Sequence, residues 1–256
     1  MPRFIKLLVV CILPLTFLLS SCHQAGYQKT VEGSLVRVDS LVTEDPVMDS
    51  LIATYRVSLE QEMNEVIAYS AQLMRKGTPE DLLNNFIADL VLEKGKAVYE
   101  PADGQPIDFC VLNYGGLRTS IPEGPVTRAR IYEVMPFENE MVVLTLSPGN
   151  TREVFEYIAS RSTGTPIAGL RVGITNRRPV DIRIGGEPFD PERNYKVLTS
   201  DYLASAGDNM SFFMEPVNSE VLGMRIRDAI ILHLQEHQAR QEMISSGLDG
   251  RIYYLD

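Results

Sequence analysis

The sequence predicts an α+β fold of mixed α/β layers, and three observations carry that assignment. Apolar residues recur at helical spacing in some stretches and in short continuous or alternating runs in others, and the two kinds interleave along the chain. The 256 residues are 45% hydrophobic and 23% charged, with 18 Gly and 15 Pro, the balance of one globular domain or two small ones, which excludes wholesale disorder and collagen-like repeats. After residue 30 there is no internal repeat, low-complexity tract or Pro/Ser-rich linker, so one domain is the economical count.

The elements follow in order. Val31 to Val42 alternates enough to be an extended segment. Asp45-Pro46 offers a cap and a first-turn proline for a long amphipathic helix carrying Met48, Leu51, Ile52, Tyr55, Leu59, Met63, Val66 and Ile67. Thr78-Pro79-Glu80-Asp81, with an acid three residues after the threonine, starts a second helix that runs to about Gly95. From Pro106 the period changes to an apolar run ending at Asn113 and a glycine turn. A short helix after Thr127, a strand over Glu140 to Leu146 and a helix capped by Asn150 come next. Extended runs are expected at Leu170 to Thr175, Val180 to Ile184 and Tyr195 to Thr199, joined by the Asn176-Arg177-Arg178-Pro179 and Gly185-Gly186 turns. A helix over about Ser219 to Ser245 and a strand over Arg251 to Leu255 close the chain.

The N-terminus is not fold. A basic start with Arg3 and Lys6, an apolar run from Ile5 to Leu19 and then Leu19-Ser20-Ser21-Cys22 make an export signal. A cysteine directly after Leu-Ser-Ser resembles the bacterial lipobox, whose thiol is lipidated before cleavage. The expected division is therefore a lipoprotein signal over 1–21, a lipidated tether over 22–30 anchored at Cys22, and a domain over 31–256. The expected location is the bacterial cell envelope, lipid-anchored and facing the periplasm. Loss of residues 1–21 removes Arg3 and Lys6 and no acid, which takes the formal charge from −10 to −12. So acidic a chain lacks the basic field that nucleic acid or an anionic membrane surface requires, and any anion must be gripped locally. Processing leaves Cys110 as the one free thiol, inside the apolar run Ile107 to Leu112, where it is a small hydrophobe without chemistry.

Two segments carry chemistry. Leu112-Asn113-Tyr114-Gly115-Gly116-Leu117-Arg118 ends an apolar strand. Its glycines permit close backbone approach to a ligand, Asn113 offers paired donor and acceptor, and Arg118 offers a planar fork suited to phosphate. Ser200 to Asn209 places Tyr202 before a small-residue turn ending in Asp208, so a ring face and a carboxylate can sit together, as a base and its ribose hydroxyls would want. Read alone, each segment is first a structural turn, with Arg118 in a surface ion pair, Tyr202 packed and Asp208 capping.

Together, five segments in order resemble the C-terminal substrate-binding domain of the 5'-nucleotidase family, which includes ecto-5'-nucleotidase and the periplasmic UDP-sugar hydrolases. They are Asn85-Phe86-Ile87-Ala88-Asp89, the Leu112 to Arg118 segment, Val134-Met135-Pro136-Phe137-Glu138-Asn139, Asp201-Tyr202-Leu203-Ala204 with Gly207-Asp208, and Asp249-Gly250-Arg251-Ile252. The resemblance spans about Val47 to Tyr254. It implies that Asn113 meets a base, Arg118 faces the phosphate side, Tyr202 stacks on the base and Asp208 binds ribose hydroxyls, with Gly115 and Gly116 lining the same site. Departures are Pro79 where many relatives have an arginine, Met141 at the second aromatic of the base clamp, and Ala206-Gly207-Asp208-Asn209 for the usual Gly-Gly-Asp-Gly turn.

Catalysis in the family uses a two-metal site on a metallophosphoesterase domain with several His and Asp ligands. These 256 residues hold three histidines, His23, His233 and His237, so no cofactor is expected in this chain. Divalent metals are expected on a separately encoded metallophosphatase partner. The resemblance therefore implies the nucleotide-binding half of a 5'-nucleotidase, not catalytic alone. Two alternatives stand beside it. One is a degenerate scaffold or interaction lipoprotein. The other is a zinc peptidase on His233-Leu234-Gln235-Glu236-His237, an H-x-x-E-H pattern whose histidines share a helix face with Glu236 as base and need a third ligand from elsewhere.

Overall fold

A computed structural model describes residues 33–39 and 42–255 and divides the chain into two units, at Asp49 and Ser50. The expected signal of 1–21, Cys22 and the tether to residue 30 lie outside the described residues. Residues 33–39 belong to no strand, and Leu35, Val36 and Val38 are exposed. Alternation marks a strand only where a partner strand takes up its backbone groups, and none does so here.

Helix α1 spans Pro46–Met63, and the Asp45 carboxylate caps it by accepting from the Val47 amide at 2.8 Å. None of its residues is buried. The expected continuation through Val66 and Ile67 fails, because these β-branched residues open β1 (Val66–Ser70), which pairs antiparallel with β3 (Gly124–Thr127). Among the described residues no helix is long and apolar enough to cross a membrane.

The central layer is a five-stranded sheet in the order β10-β4-β9-β2-β5: Asn218–Arg225, Glu140–Leu146, Tyr195–Ser200, Phe109–Val111 and Ile167–Ala168. Only β2 and β9 run parallel, with Phe109 opposite Val197 and Cys110 opposite Leu198. Successive side chains feed two different cores. Cys110, Leu112, Met141, Val143 and Leu198 face one, under α2 (Leu82–Val98), α3 (Arg128–Val134) and α6 (Ile226–Ala239). Phe109, Val111, Val142, Leu144 and Val197 face the other, under α4 (Pro148–Ser160) and the sheet formed by β6 (Leu170–Thr175) and β7 (Arg178–Ile184) with β8 (Glu187–Pro188) and β11 (Ile252–Tyr254). Burial on both faces is why β2, β4 and β9 read as near-continuous apolar runs. Cys110 is fully buried, and desolvation holds its thiol far above the usual cysteine range, consistent with an inert core residue.

Local chemistry sets the boundaries. Asp81, not Thr78, is the N-cap of α2, with its carboxylate accepting from the Asn84 amide at 2.7 Å. Ser147, not Asn150, caps α4, its hydroxyl accepting from the Asn150 amide at 3.2 Å. The expected helix from Ser219 begins at Ile226, because Asn218–Arg225 pairs with β4 and completes the sheet edge.

The first and last of the five family-like segments meet as a clamp. The Arg251 guanidinium donates to both Asp89 carboxylate oxygens, at 2.7 and 2.9 Å, to Asp249 at 2.8 Å and to the Ile167 carbonyl at 2.8 Å. Glu80 accepts from the Asp249 and Gly250 amides at 2.9 and 3.0 Å and from Asn85 at 2.6 Å. The C-terminal strand is thereby tied to α2. Arg251 is mostly buried while Asp89 and Asp249 are exposed, so solvent screens much of the pairing. We expect Arg251→Met to lower the unfolding free energy by about 1–3 kcal/mol in urea titrations. The Arg251 hydrogen bond holds the Asp249 carboxyl below its ordinary 3.8, so this contribution is complete above pH 3.8 and fades as the pH falls through the lowered native value. The variant should lose that acid-dependent component.

Candidate functional site

Three chain segments converge at one edge of the central sheet. Because β2 and β9 are parallel, their C-terminal ends share that edge, and the antiparallel β4 begins there, with Met141 opposite Ser200. The segment after β2 forms a 3₁₀ turn over Tyr114–Gly116. The segment after β9 forms the short helix α5 (Asp201–Ala204), capped by Ser200, and then the Ala206 to Asn209 turn. The segment before β4 supplies Phe137 and Asn139. Asp201 joins two of the three, accepting from the Glu140 amide at 3.2 Å.

The convergence encloses a cavity of about 240 Å³ lined by Asn113, Gly115, Gly116, Arg118, Phe137, Asn139, Tyr202 and Asp208. Six of the seven expected ligand-binding residues are thus brought together. Met141 is not among them: it is fully buried in the core on the α2 side of β4. The second aromatic at the cavity is Phe137, four residues earlier and 40% exposed, beside Tyr202 at 45%. Pairing with β9 turns Met141 inward, whereas Phe137 precedes the strand and is free to face the opening.

Hydrogen bonds knit the walls. Asn113 Nδ2 donates to Asp208 Oδ2 at 2.6 Å, and the Tyr202 hydroxyl donates to Asp208 Oδ1 at 3.2 Å. The Tyr157 hydroxyl of α4 backs the turn by donating to the Asp208 carbonyl at 3.4 Å. Burial pushes the Tyr157 phenol above its ordinary 10.0, so it stays a donor through neutral pH. Arg118 is exposed and donates to the Gly115 carbonyl at 3.3 Å, which leaves most of its five N–H groups for an anion.

Two close approaches require glycine. A Cβ on Gly116 would stand 2.7 Å from Asn113 Oδ1, and one on Gly207 would stand 2.4 Å from the Tyr202 ring. The turn itself is left-handed at Ala206 (φ 64°), Asp208 (φ 52°) and Asn209 (φ 63°). Side chains therefore occupy positions where glycine would sit without strain, a local cost that the surrounding bonds sustain.

A wider groove of about 720 Å³ lies elsewhere, lined in part by Arg171, Arg183 and Arg251. Two of these cations are already neutralised, Arg251 by Asp89 and Asp249 and Arg183 by Asp181. Arg171 stacks on Tyr253, 4.8 Å from the ring centroid. The smaller cavity has the available donors and the exposed ring faces.

Residues 61–215 match the family described as "5'-nucleotidase, C-terminal domain". The chain belongs to this family. It is 24% identical over 257 residues to a 5'-nucleotidase of Rattus norvegicus, covering 90% of this chain and 44% of that protein. It is 28% identical over 210 residues to the trifunctional nucleotide phosphoesterase protein YfkN of Bacillus subtilis, covering 74% of this chain and 14% of that protein. Among solved structures, the 5'-nucleotidase precursor of Thermus thermophilus superposes with a TM-score of 0.67 at 26% identity, over 83% of this chain and 44% of that one. The chain thus spans less than half the length of these relatives.

Within the family frame, Phe137, Asn139 and Lys76 complete the site without having been singled out from sequence. Phe137 and Asn139 were visible as part of the Val134 to Asn139 segment. Glu138 between them pairs with Arg225 at 2.8 Å and with Arg227, contacts that hold its carboxyl below the usual range and fix the segment. Lys76 Nζ donates to the Tyr114 and Leu117 carbonyls at 3.1 and 2.6 Å and lies 4.0 Å from the Tyr114 ring centroid, clamping the glycine loop from beneath. Burial, and then the Arg118 charge, lower its pKa. Its distance from the loop in sequence hid this role.

Two substitutions test the turn. Ala206→Gly relieves a left-handed alanine and should raise the unfolding free energy by up to about 1 kcal/mol. Gly207→Ala drives a methyl into the Tyr202 ring and should lower it by about 1–3 kcal/mol, both read by urea denaturation.

Proposed function

We propose that the cavity binds the nucleoside portion of a nucleotide and directs its phosphate toward Arg118, as the substrate-binding half of a 5'-nucleotidase. The observation that carries this reading is one cavity edged by two half-exposed aromatic rings, Phe137 and Tyr202, with the Asp208 carboxylate and the Arg118 guanidinium on its walls. A planar base suits the ring faces. Asp208 has about four lone-pair positions, and Asn113 and Tyr202 occupy two, which leaves acceptors for vicinal ribose hydroxyls. At about 240 Å³ the cavity is smaller than the roughly 300–1,000 Å³ that encloses a whole drug-sized ligand, so base and ribose are half-enclosed and the phosphates project outward. Arg118 is the exposed cation positioned to meet them, with Lys76 adding positive charge nearby.

Asp208 is the sole carboxylate among the lining residues, and no histidine is among them. We assign the metal-assisted attack on phosphorus to a metallophosphoesterase domain on a separate chain, with the nucleotide presented across the open face of the cavity. Relatives described as 5'-nucleotidases and as a nucleotide phosphoesterase support a nucleotide as the ligand. The Cys22 signal supports an envelope lipoprotein acting outside the cytoplasm.

Calorimetric titration of the full chain in detergent with AMP, adenosine and a UDP-sugar tests the binding claim. Wild type should bind at least one of them, Asp208→Ala should weaken that binding about tenfold or more by removing the ribose acceptor, and Arg118→Ala should weaken AMP far more than adenosine. Absence of wild-type binding at millimolar ligand would sink the proposal. Metal-dependent phosphatase turnover by this chain alone would overturn the assignment of catalysis to a partner.

A further inference from the structure

One cluster of ligating side chains is left unused by the nucleotide reading. His233 and His237 share a face of α6, with ring centroids 4.6 Å apart. Helix α2 packs against α6 and brings Glu93 alongside, its Oε2 3.7 Å from His233 Nδ1. That separation is too long for a hydrogen bond. His233 is only 8% exposed, and its Nδ1 is buried with no hydrogen-bond partner. A buried ring nitrogen aimed at a carboxylate and bonded to nothing has lost its hydration without return.

The charges point the same way. Glu93 and Glu236 gather around the buried Lys94 ammonium, which is 3.3 Å from Glu93 and in closer contact with Glu236. The other cation near Glu236, Arg240, is held by Glu242 at 2.8 Å. Two carboxylates against one ammonium leave a local negative charge next to an unused nitrogen donor. One ligand atom from each of Glu93, His233 and Glu236 lies within 4.8 Å of the other two. A tetrahedral ion with bonds near 2.0–2.1 Å needs separations of about 3.4 Å, a closure within the reach of glutamate rotamers. A cleft of about 440 Å³, lined by Glu93, His233, Ser246 and Leu248 among others, opens the cluster to solvent and leaves room for a water ligand.

We propose that Glu93, His233 and Glu236 form a site for a zinc-like divalent ion that staples α2 to α6. One imidazole and two carboxylates favour zinc and its first-row neighbours over calcium or magnesium, which take oxygen alone. His237 stays outside the set: it is not in the group whose ligand atoms lie within 4.8 Å of one another, although its Nδ1, 3.6 Å from Glu242, is also buried without a hydrogen-bond partner. The arrangement therefore departs from the peptidase pattern, in which both histidines bind the metal and the glutamate remains free as base. Entry of the ion displaces Lys94 from Glu236 toward solvent.

The test is titration of the full chain in detergent with Co²⁺, read by its visible absorption, and with Zn²⁺, read by competition. One equivalent of Co²⁺ should bind, Zn²⁺ should displace it, and millimolar Mg²⁺ should not. His233→Ala and Glu93→Gln should each weaken binding about tenfold or more, Lys94→Met should tighten it by removing the competing ammonium, and bound Zn²⁺ should raise the melting temperature. Glu93→Gln, at the more exposed end of the cluster, and Glu236→Gln keep the test readable if His233→Ala does not fold. Absence of stoichiometric Co²⁺ and Zn²⁺ binding, or equal binding by wild type and the folded ligand variants, would overturn the proposal.

Discussion

The parallel pairing of β2 with β9 is the constraint on which the rest of the site depends. Parallel neighbours finish at the same edge, so the chain leaving β2 and the chain leaving β9 emerge side by side although 95 positions separate Asn113 from Asp208. Ligands collect outside the carboxyl ends of parallel strands for this reason. The antiparallel β4 adds its entry segment to the same edge, which is how Phe137 and Asn139 arrive. Had β2 run the other way, its glycine loop would lie at the opposite end of the sheet from Tyr202.

Given that edge, small residues and short polar side chains convert proximity into a fixed cavity. Gly116 lets Asn113 fold over its own loop, and Gly207 lets the Tyr202 ring lie against the turn. The Asn113 to Asp208 bond then closes the walls, and Lys76 holds the glycine loop from below. The left-handed Ala206, Asp208 and Asn209 show that the turn is imposed by this packing and not by local preference. In a chain of net charge −10, Arg118 at the edge of this cavity is a local exception to the overall charge.

Much of this was legible in the sequence, for identifiable reasons. Strands β4 and β6 run over Glu140–Leu146 and Leu170–Thr175 as expected, because burial and turn chemistry leave little freedom in their limits. Helix starts were less legible, since Thr78 and Asp81, or Ser147 and Asn150, are all competent caps within one turn, and tertiary packing chooses between them. The segment from Asn218 to Arg225 was misread because its strand identity comes from pairing with β4, a long-range fact with little local signature. Met141 lies in the core and away from the cavity lining for a related reason. A family offset gives a position along the chain, whereas strand register decides which face that position takes.

The five family-like segments accordingly divide by physical role. The glycine loop after β2, the Phe137 segment and the Tyr202 to Asp208 turn build the cavity. The Asn85 to Asp89 and Asp249 to Ile252 segments build the Arg251 clamp, which fastens the C-terminal strand to α2. Helix α2 also packs in the core against Cys110 and Leu198 of β2 and β9, so the clamp steadies the strand pair whose ends carry the cavity-lining loops. Sequence resemblance weights all five segments alike. The geometry separates those that line the cavity from those that keep the two strand ends in place.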